Sequence, residues 1–146
     1  MIDLETKIRQ CHNCHLACAD PKLKPLPGRG TKGKFLIVGL APSYYRKMLD
    51  HHDAVMPFGD IQFTSYWLGK VLADVNWPLN ETYITNLIKC SLPNNRTPEL
   101  IDLNCGNLFF LQEIFLCVPN TIICLGNKVA ELIDLFDIPK STEISK

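Results

Sequence analysis

Apolar and polar positions follow one another along the chain in blocks that predict one α/β domain spanning residues 1–146. Residues 2–10 have apolar side chains at helical spacing and read as a short amphipathic helix leading into "CHNCHLAC". The stretch "ADPKLKPLPGRGTKGK" is dense in Pro, Gly and Lys and reads as loop. "FLIVGLAP" (35–42) is a continuous apolar run closed by a proline, the pattern of a buried parallel strand. "YYRKMLDHHDAVMPFGD" has no clear period and reads as loop with some helix. Helical spacing returns over 65–75, and the β-branched run 81–88 is a second strand. Residues 97–118 read as one helix, with Thr97 at the N-cap, Pro98 at the first helical position and Glu99 in the first turn. Residues 120–126 form a third strand and 127–136 a last helix, with Asn127 as its cap; the final ten residues read as a frayed tail.

Strands alternating with helices imply a three-layer α/β/α fold with a short parallel central sheet and right-handed crossovers. Ligands in such sheets sit at the carboxyl ends of the strands, here Gly39–Ser43, Asn86–Cys90 and Leu125–Asn127.

Composition narrows the function classes. The 146 residues are 47% hydrophobic, enough for a core. Fifteen basic residues balance fifteen acidic ones, so any contact with nucleic acid must be a local patch. No apolar run approaches the roughly 20 residues of a membrane span, and "MIDLETKIRQ" has no signal-peptide core. The expectation is a cytoplasmic protein with no membrane contact.

Seven cysteines are many for this length, and the number is odd. In a reducing compartment metal ligation fits better than a disulfide framework. Cys11 and Cys14 form a C-x2-C pair, which can grip one metal centre from a tight turn. Cys90 and Cys105 follow far downstream, one after a strand and one in the next helix. Four thiolates suit an iron–sulfur cubane or a zinc ion equally, and Cys90 and Cys105 also fit a reading as small buried apolar residues. His12 and His15 are possible substitutes in a zinc site. Cys117 and Cys124 fall on apolar faces and read as core; Cys18 has no assigned role.

Several segments, in order, resemble the uracil-DNA glycosylase superfamily, in its iron–sulfur branches called families four and five. "CHNCHL" resembles their N-terminal C-x2-C-x-L. "PLPGRGTKGKFLIVGLAP" resembles their Pro-Gly-x-Gly segment, strand and first active-site motif. "TNLIKCSLPNNRTPELIDLNC" is the most specific match, and "PNTIICLGNKVAELI" resembles their strand and helix around Leu-Gly. The likeness covers residues 9–135.

The resemblance implies a 4Fe–4S cluster held by Cys11, Cys14, Cys90 and Cys105. It also implies an enzyme that flips uracil out of DNA into a pocket and hydrolyses its glycosidic bond. Asn86 stands where the family reads the base; its amide carries an acceptor and a donor that match uracil N3–H and O4. Phe58 of "MPFGD" matches the ring that stacks on the base, and Asp60 is placed to orient or activate water, although one residue is missing before it. Gly39, Leu40, Ala41 and Pro42 complete the pocket, with Leu40 where family four has an acid and family five an apolar residue. Backbone amides near Ala41–Ser43 can polarise the leaving base.

One departure is large. The His-Pro-Ser type motif and final strand of these families have no counterpart, since the four histidines are at 12, 15, 51 and 52. The resemblance therefore implies a form truncated at the C-terminus, such as a small viral or mobile-element version in a host cytoplasm, and leaves room for a protein partner that supplies the missing elements. Two functions stay open: a uracil-DNA glycosylase, or a catalytically inactive iron–sulfur module that binds DNA or a replication or transcription partner. DNA as partner has local support in Lys22, Lys24, Arg29, Lys32 and Lys34 after the first cysteine pair, and in Lys89 and Arg96 beside Cys90.

Overall fold

A computed structural model describes residues 3–12, 25–42, 63–136 and 138, with backbone alone for 63–67 and 106–107. The N-terminal helix α1 runs over Leu4–Arg9, capped by Asp3, whose carboxylate accepts from Thr6 N at 2.8 Å. The parallel strands are β2 (Phe35–Gly39), β3 (Thr82–Asn86) and β4 (Thr121–Cys124). Each is shorter than its apolar run, because the chain turns off at the strand ends.

The sheet is mixed rather than wholly parallel. A two-residue strand β1, Arg29–Gly30, lies in the segment expected to be loop and pairs antiparallel with β3, giving the order β1-β3-β2-β4. Glycines allow this approach. Gly30 has φ +106°, and a Cβ there would stand 2.4 Å from the Thr82 carbonyl oxygen. A Cβ on Gly28 would stand 2.4 Å from the Tyr83 ring.

Helix α2 (Phe63–Asp74) links β2 to β3, and helix α3 (Leu111–Cys117) links β3 back across β2 to β4. Crossovers that run in opposite directions from the central strand put their helices on opposite faces when both are right-handed. The side chains agree. Ile37, Ile84 and Ile123 face Leu68, Leu72 and Trp77 on the α2 side. Leu36, Val38, Tyr83, Ile122 and Cys124 face Phe110, Ile114, Cys117 and Val129 on the other. Val129 belongs to the last helix, α4 (Asn127–Ile133). The period-two alternation thus builds two cores from the same strands. Where α2 gives way to β3, Trp77 Nε1 donates to Thr82 Oγ1 at 2.7 Å and its ring packs on Phe35, centroids 4.8 Å apart.

The region expected to be one helix over 97–118 is broken. It starts at Glu99, not Thr97, with Glu99 and Asp102 in a reciprocal capping box. A 3-10 turn (Leu100–Leu103) is followed by a π-helical segment (Gly106–Phe110) and only then by α3. Periodicity cannot show such a break, since an added residue merely shifts the apolar stripe. By length and composition Leu100–Cys117 would also pass as a membrane span, but half of it is buried against the domain and it is split into these segments. At α4 the cap position is Gly126, φ +101°, and Asn127 is the first helical residue.

Candidate active site and cysteine cradle

The carboxyl ends of β2 and β3 are held in register past the strands themselves. Gly39 pairs with Asn86, and then Leu87 N donates to Gly39 O and Ile88 N to Leu40 O, each at 2.9 Å. Leu125 N donates to Val38 O at 2.9 Å and brings the end of β4 alongside. Gly39 therefore lies against Asn86, and Leu40 runs on beside Ile88, with Ala41 and Pro42 next in the chain. Asn86 is fully buried, Pro42 is buried, and Leu40 and Ala41 pack on the larger apolar core. Phe58 and Asp60 lie outside the described residues, as do Tyr44, Tyr45, His51 and His52.

Directly behind Asn86 is a buried ionic network. Lys89 and Glu113 form an ion pair in which neither side chain is exposed. Lys89 Nζ also donates to Thr85 Oγ1 at 2.8 Å and to Asn86 O at 2.5 Å. An ammonium has three donors, and here all three are used. Glu113 accepts from Thr85 Oγ1 at 2.9 and 3.0 Å, from Gly28 N at 3.2 Å and from Tyr83 Oη at 3.4 Å. Burial, with the nearby Glu113 charge, pushes the Tyr83 hydroxyl well above the ordinary phenol range, so it stays a donor. Lone buried charges are costly, and paired ones are tolerable only when their remaining hydrogen-bonding capacity is filled, as it is here.

This corrects the place of Lys89. It is completely buried and cannot reach a DNA phosphate in this fold. Arg96 is partly committed too: Nη1 and Nη2 grip Asp102 Oδ2 and Oδ1 at 2.8 and 3.1 Å, and that bond raises the guanidinium pKa further. Asp102 also accepts from Glu99 N at 2.7 Å, so the pair closes the turn after Cys90. Asn94 and Asn95 in that turn both have left-handed backbones, φ 52° and 54°, a conformation Asn tolerates better than most residues. Arg29 is half-buried and Lys32 exposed, at a polar cleft beside the first half of β3 that Glu5 and Tyr83 also line. Lys32 Nζ lies 5.3 Å from the Tyr83 ring centre. Lys22 and Lys24 are outside the described residues.

Three of the four expected cluster ligands are described. Cys11 packs against a small core of Ile8, Cys105 and Phe109, which docks α1 on the π-helical segment. Cys90 is buried at 1% exposure and Cys105 at 8%. Cys105 Sγ accepts the backbone N–H of Lys89 at 3.2 Å, which ties it to the residue preceding Cys90. Cys14 lies outside the described residues, with Cys18 and His15, and among the described residues no three Cys, His, Asp or Glu side chains converge as metal ligands. The donor set still fits a thiolate-bound cluster. Three sulfurs sit in apolar or buried surroundings, and an amide N–H points at one of them, the outer-sphere contact that such sulfurs favour. Cys117 and Cys124 differ: burial pushes both thiols up, Cys117 to about 11, and both pack in the larger core.

Sequence reasoning missed Glu113, Thr85, Tyr83 and Asp102. A signal was present for the central pair. Lys89 and Glu113 are each the sole charge in a largely apolar stretch, "NLIKC" and "FFLQEIF". Opposite charges isolated in two core-facing runs are candidates for each other.

A family model for the uracil DNA glycosylase superfamily matches residues 27–143. The chain is similar to a Type-4 uracil-DNA glycosylase of Archaeoglobus fulgidus, 32% identical over 144 residues, 96% of this chain and 67% of the relative. It is similar to proteins of the same name from Pyrobaculum aerophilum, at 30% identity over 84% of this chain and 59% of the relative, and Saccharolobus solfataricus, at 27% over 82% and 52%. The chain thus spans about half to two thirds of the length of these relatives.

Proposed function

The chain belongs to the uracil-DNA glycosylase superfamily, and from that membership we propose that it recognises uracil in DNA by base flipping and hydrolyses its N-glycosidic bond. The observation that carries this reading is Asn86, fully buried at a strand's carboxyl end and in register with Gly39. An amide held there offers one donor and one acceptor to the Watson–Crick edge of uracil. Cytosine presents the opposite order and would leave both groups unsatisfied, at about 1–3 kcal/mol each. The Gly39–Pro42 loop forms the wall beside it. Phe58 is assigned to stacking on the base and Asp60 to orienting water. Arg29 and Lys32, with Lys22 and Lys24, are the phosphate-contact candidates.

Cys11, Cys14, Cys90 and Cys105 would hold a 4Fe–4S cluster. Hydrolysis transfers no electrons, so what the cluster would supply is a cross-link between the turn after β3 and the N-terminal segment.

The test is release of uracil from a uracil-containing single-stranded oligonucleotide. Wild-type protein should release it, and Asn86→Ala should do so about 10²–10³-fold more slowly, the usual cost of one transition-state hydrogen-bonding group. No release above background at high protein concentration sinks the enzyme reading. It would favour the second reading, binding without cutting, which Leu40 supports: its side chain packs on the apolar core where a family-four acid would stand. An iron-free protein after anaerobic purification would sink the cluster.

A further inference from the structure

Lys89 has every polar group in use, and the partners fall into two sets. The side chain serves the pocket: Nζ holds the Asn86 carbonyl at 2.5 Å, braced by Thr85 and Glu113. The main chain serves the cysteines and the glycine segment: its N–H bonds Cys105 Sγ, and its carbonyl accepts from Leu26 N at 2.8 Å. We propose that Lys89 is a positioning residue that couples the base-reading strand end to the cysteine cradle. This deepens the glycosylase reading and rests on Asn86 as the base reader.

The physical argument concerns the peptide after Asn86. The parallel ladder ends here, and Leu87 N still bonds Gly39 O while the Asn86 carbonyl is taken by Lys89. Fixing both sides of that peptide plane fixes the Asn86 Cα–Cβ direction, and so the origin from which its amide rotamers reach the pocket. Lysine suits the task because its ammonium reaches three acceptors on two elements, β3 and α3. Glu113 extends the brace to Gly28 and Tyr83. A pair that only filled the core would be replaceable by apolar side chains of similar size without loss. That gives the test its edge.

The experiment compares the 146-residue chain with its Lys89→Met/Glu113→Leu double variant in thermal unfolding, uracil release from the single-stranded oligonucleotide, affinity for the same oligonucleotide with thymine in place of uracil, and amide hydrogen exchange at Leu87 and Ile88. The expected result is near-wild-type thermal stability and near-wild-type thymine-oligonucleotide affinity. With these, kcat/KM for uracil release should fall about tenfold or more, and the two amides should exchange about tenfold faster, the size expected for one lost charge-assisted bond. A folded double variant with wild-type exchange overturns the proposal, as does one with faster exchange and wild-type uracil release. If the wild type releases no uracil, the glycosylase reading fails by itself, and exchange alone decides the tie: faster upholds it and unchanged overturns it. If the double variant does not fold, Thr85→Val takes its place. It removes one hydroxyl from the network and keeps the strand shape, and the same exchange and release outcomes decide.

Discussion

The two faces of the sheet are built from alternate residues of the same strands and do different work. The α2 face carries no ion pair among the described residues: Ile37, Ile84 and Ile123 meet Leu72 and Trp77, Trp77 Nε1 donates to Thr82 Oγ1, and Val71 and Val75 at its margin are 53% and 60% exposed. The α3 face holds a large apolar core and, within it, Lys89, Glu113, Thr85 and the Tyr83 hydroxyl. Tyr83 and Thr85 flank Ile84 in sequence and point the other way. A one-residue slip of β3 would put the isoleucine among the charges and the threonine among the aliphatics, so the polar face fixes register as the apolar face alone could not. The α2 face supports; the α3 face supports and aims.

Removing one charge should break this contrast most sharply. Lys89→Met alone leaves Glu113 buried without its counter-ion and should cost about 3–5 kcal/mol in urea or thermal unfolding. If it cost no more than a methyl deletion on the α2 face, the polar network would have no special weight.

Alkaline titration sharpens the comparison. Burial lifts the Cys117 thiol from an ordinary 9.0 to about 11, with Glu113 adding to it. A raised folded pKa means the neutral thiol is favoured by folding, so this contribution is complete below about pH 9 and disappears as pH rises toward about 11. Unfolding followed between those values should show stability falling, and Cys117→Ala should make the fall shallower. The α2 face has no equivalent.

On that face, Ile37→Val deletes one methyl from a site at 1% exposure and should cost about 0.5–1.5 kcal/mol without altering uracil release. The smallest effect has the opposite sign. Val118 ends α3 with a left-handed backbone, φ 47°, and is 74% exposed. Val118→Gly should relieve this β-branched strain and, after the entropy glycine loses on folding, raise stability by a few tenths to about 1 kcal/mol. Differential scanning calorimetry would detect it as a small rise in Tm.

Much of the layout was legible in the chain. Apolar runs located the three parallel strands and the helices between them, because burial on both faces demands continuous apolar strands. The strand ends, with Gly39–Pro42 and Asn86, followed from topology. The antiparallel β1 did not, since two residues carry no periodicity and only the close approach at Gly28 and Gly30 reveals the pairing. The broken helix after Thr97 was hidden for the same reason: its apolar stripe continues through the 3-10 and π segments.

Residue type and spacing determined which chemistry was available: cysteines suited to a metal, a strand-end asparagine, basic residues near both. They could not determine direction. Lys89 sits beside Cys90 in a basic-looking segment, and by sequence it groups with the lysines proposed for phosphate contact. Tertiary structure turned it inward, because a carboxylate 24 positions away in sequence, on α3, lies directly across the core from it. Pairing between residues so far apart is set by how the layers stack, and no local pattern encodes it.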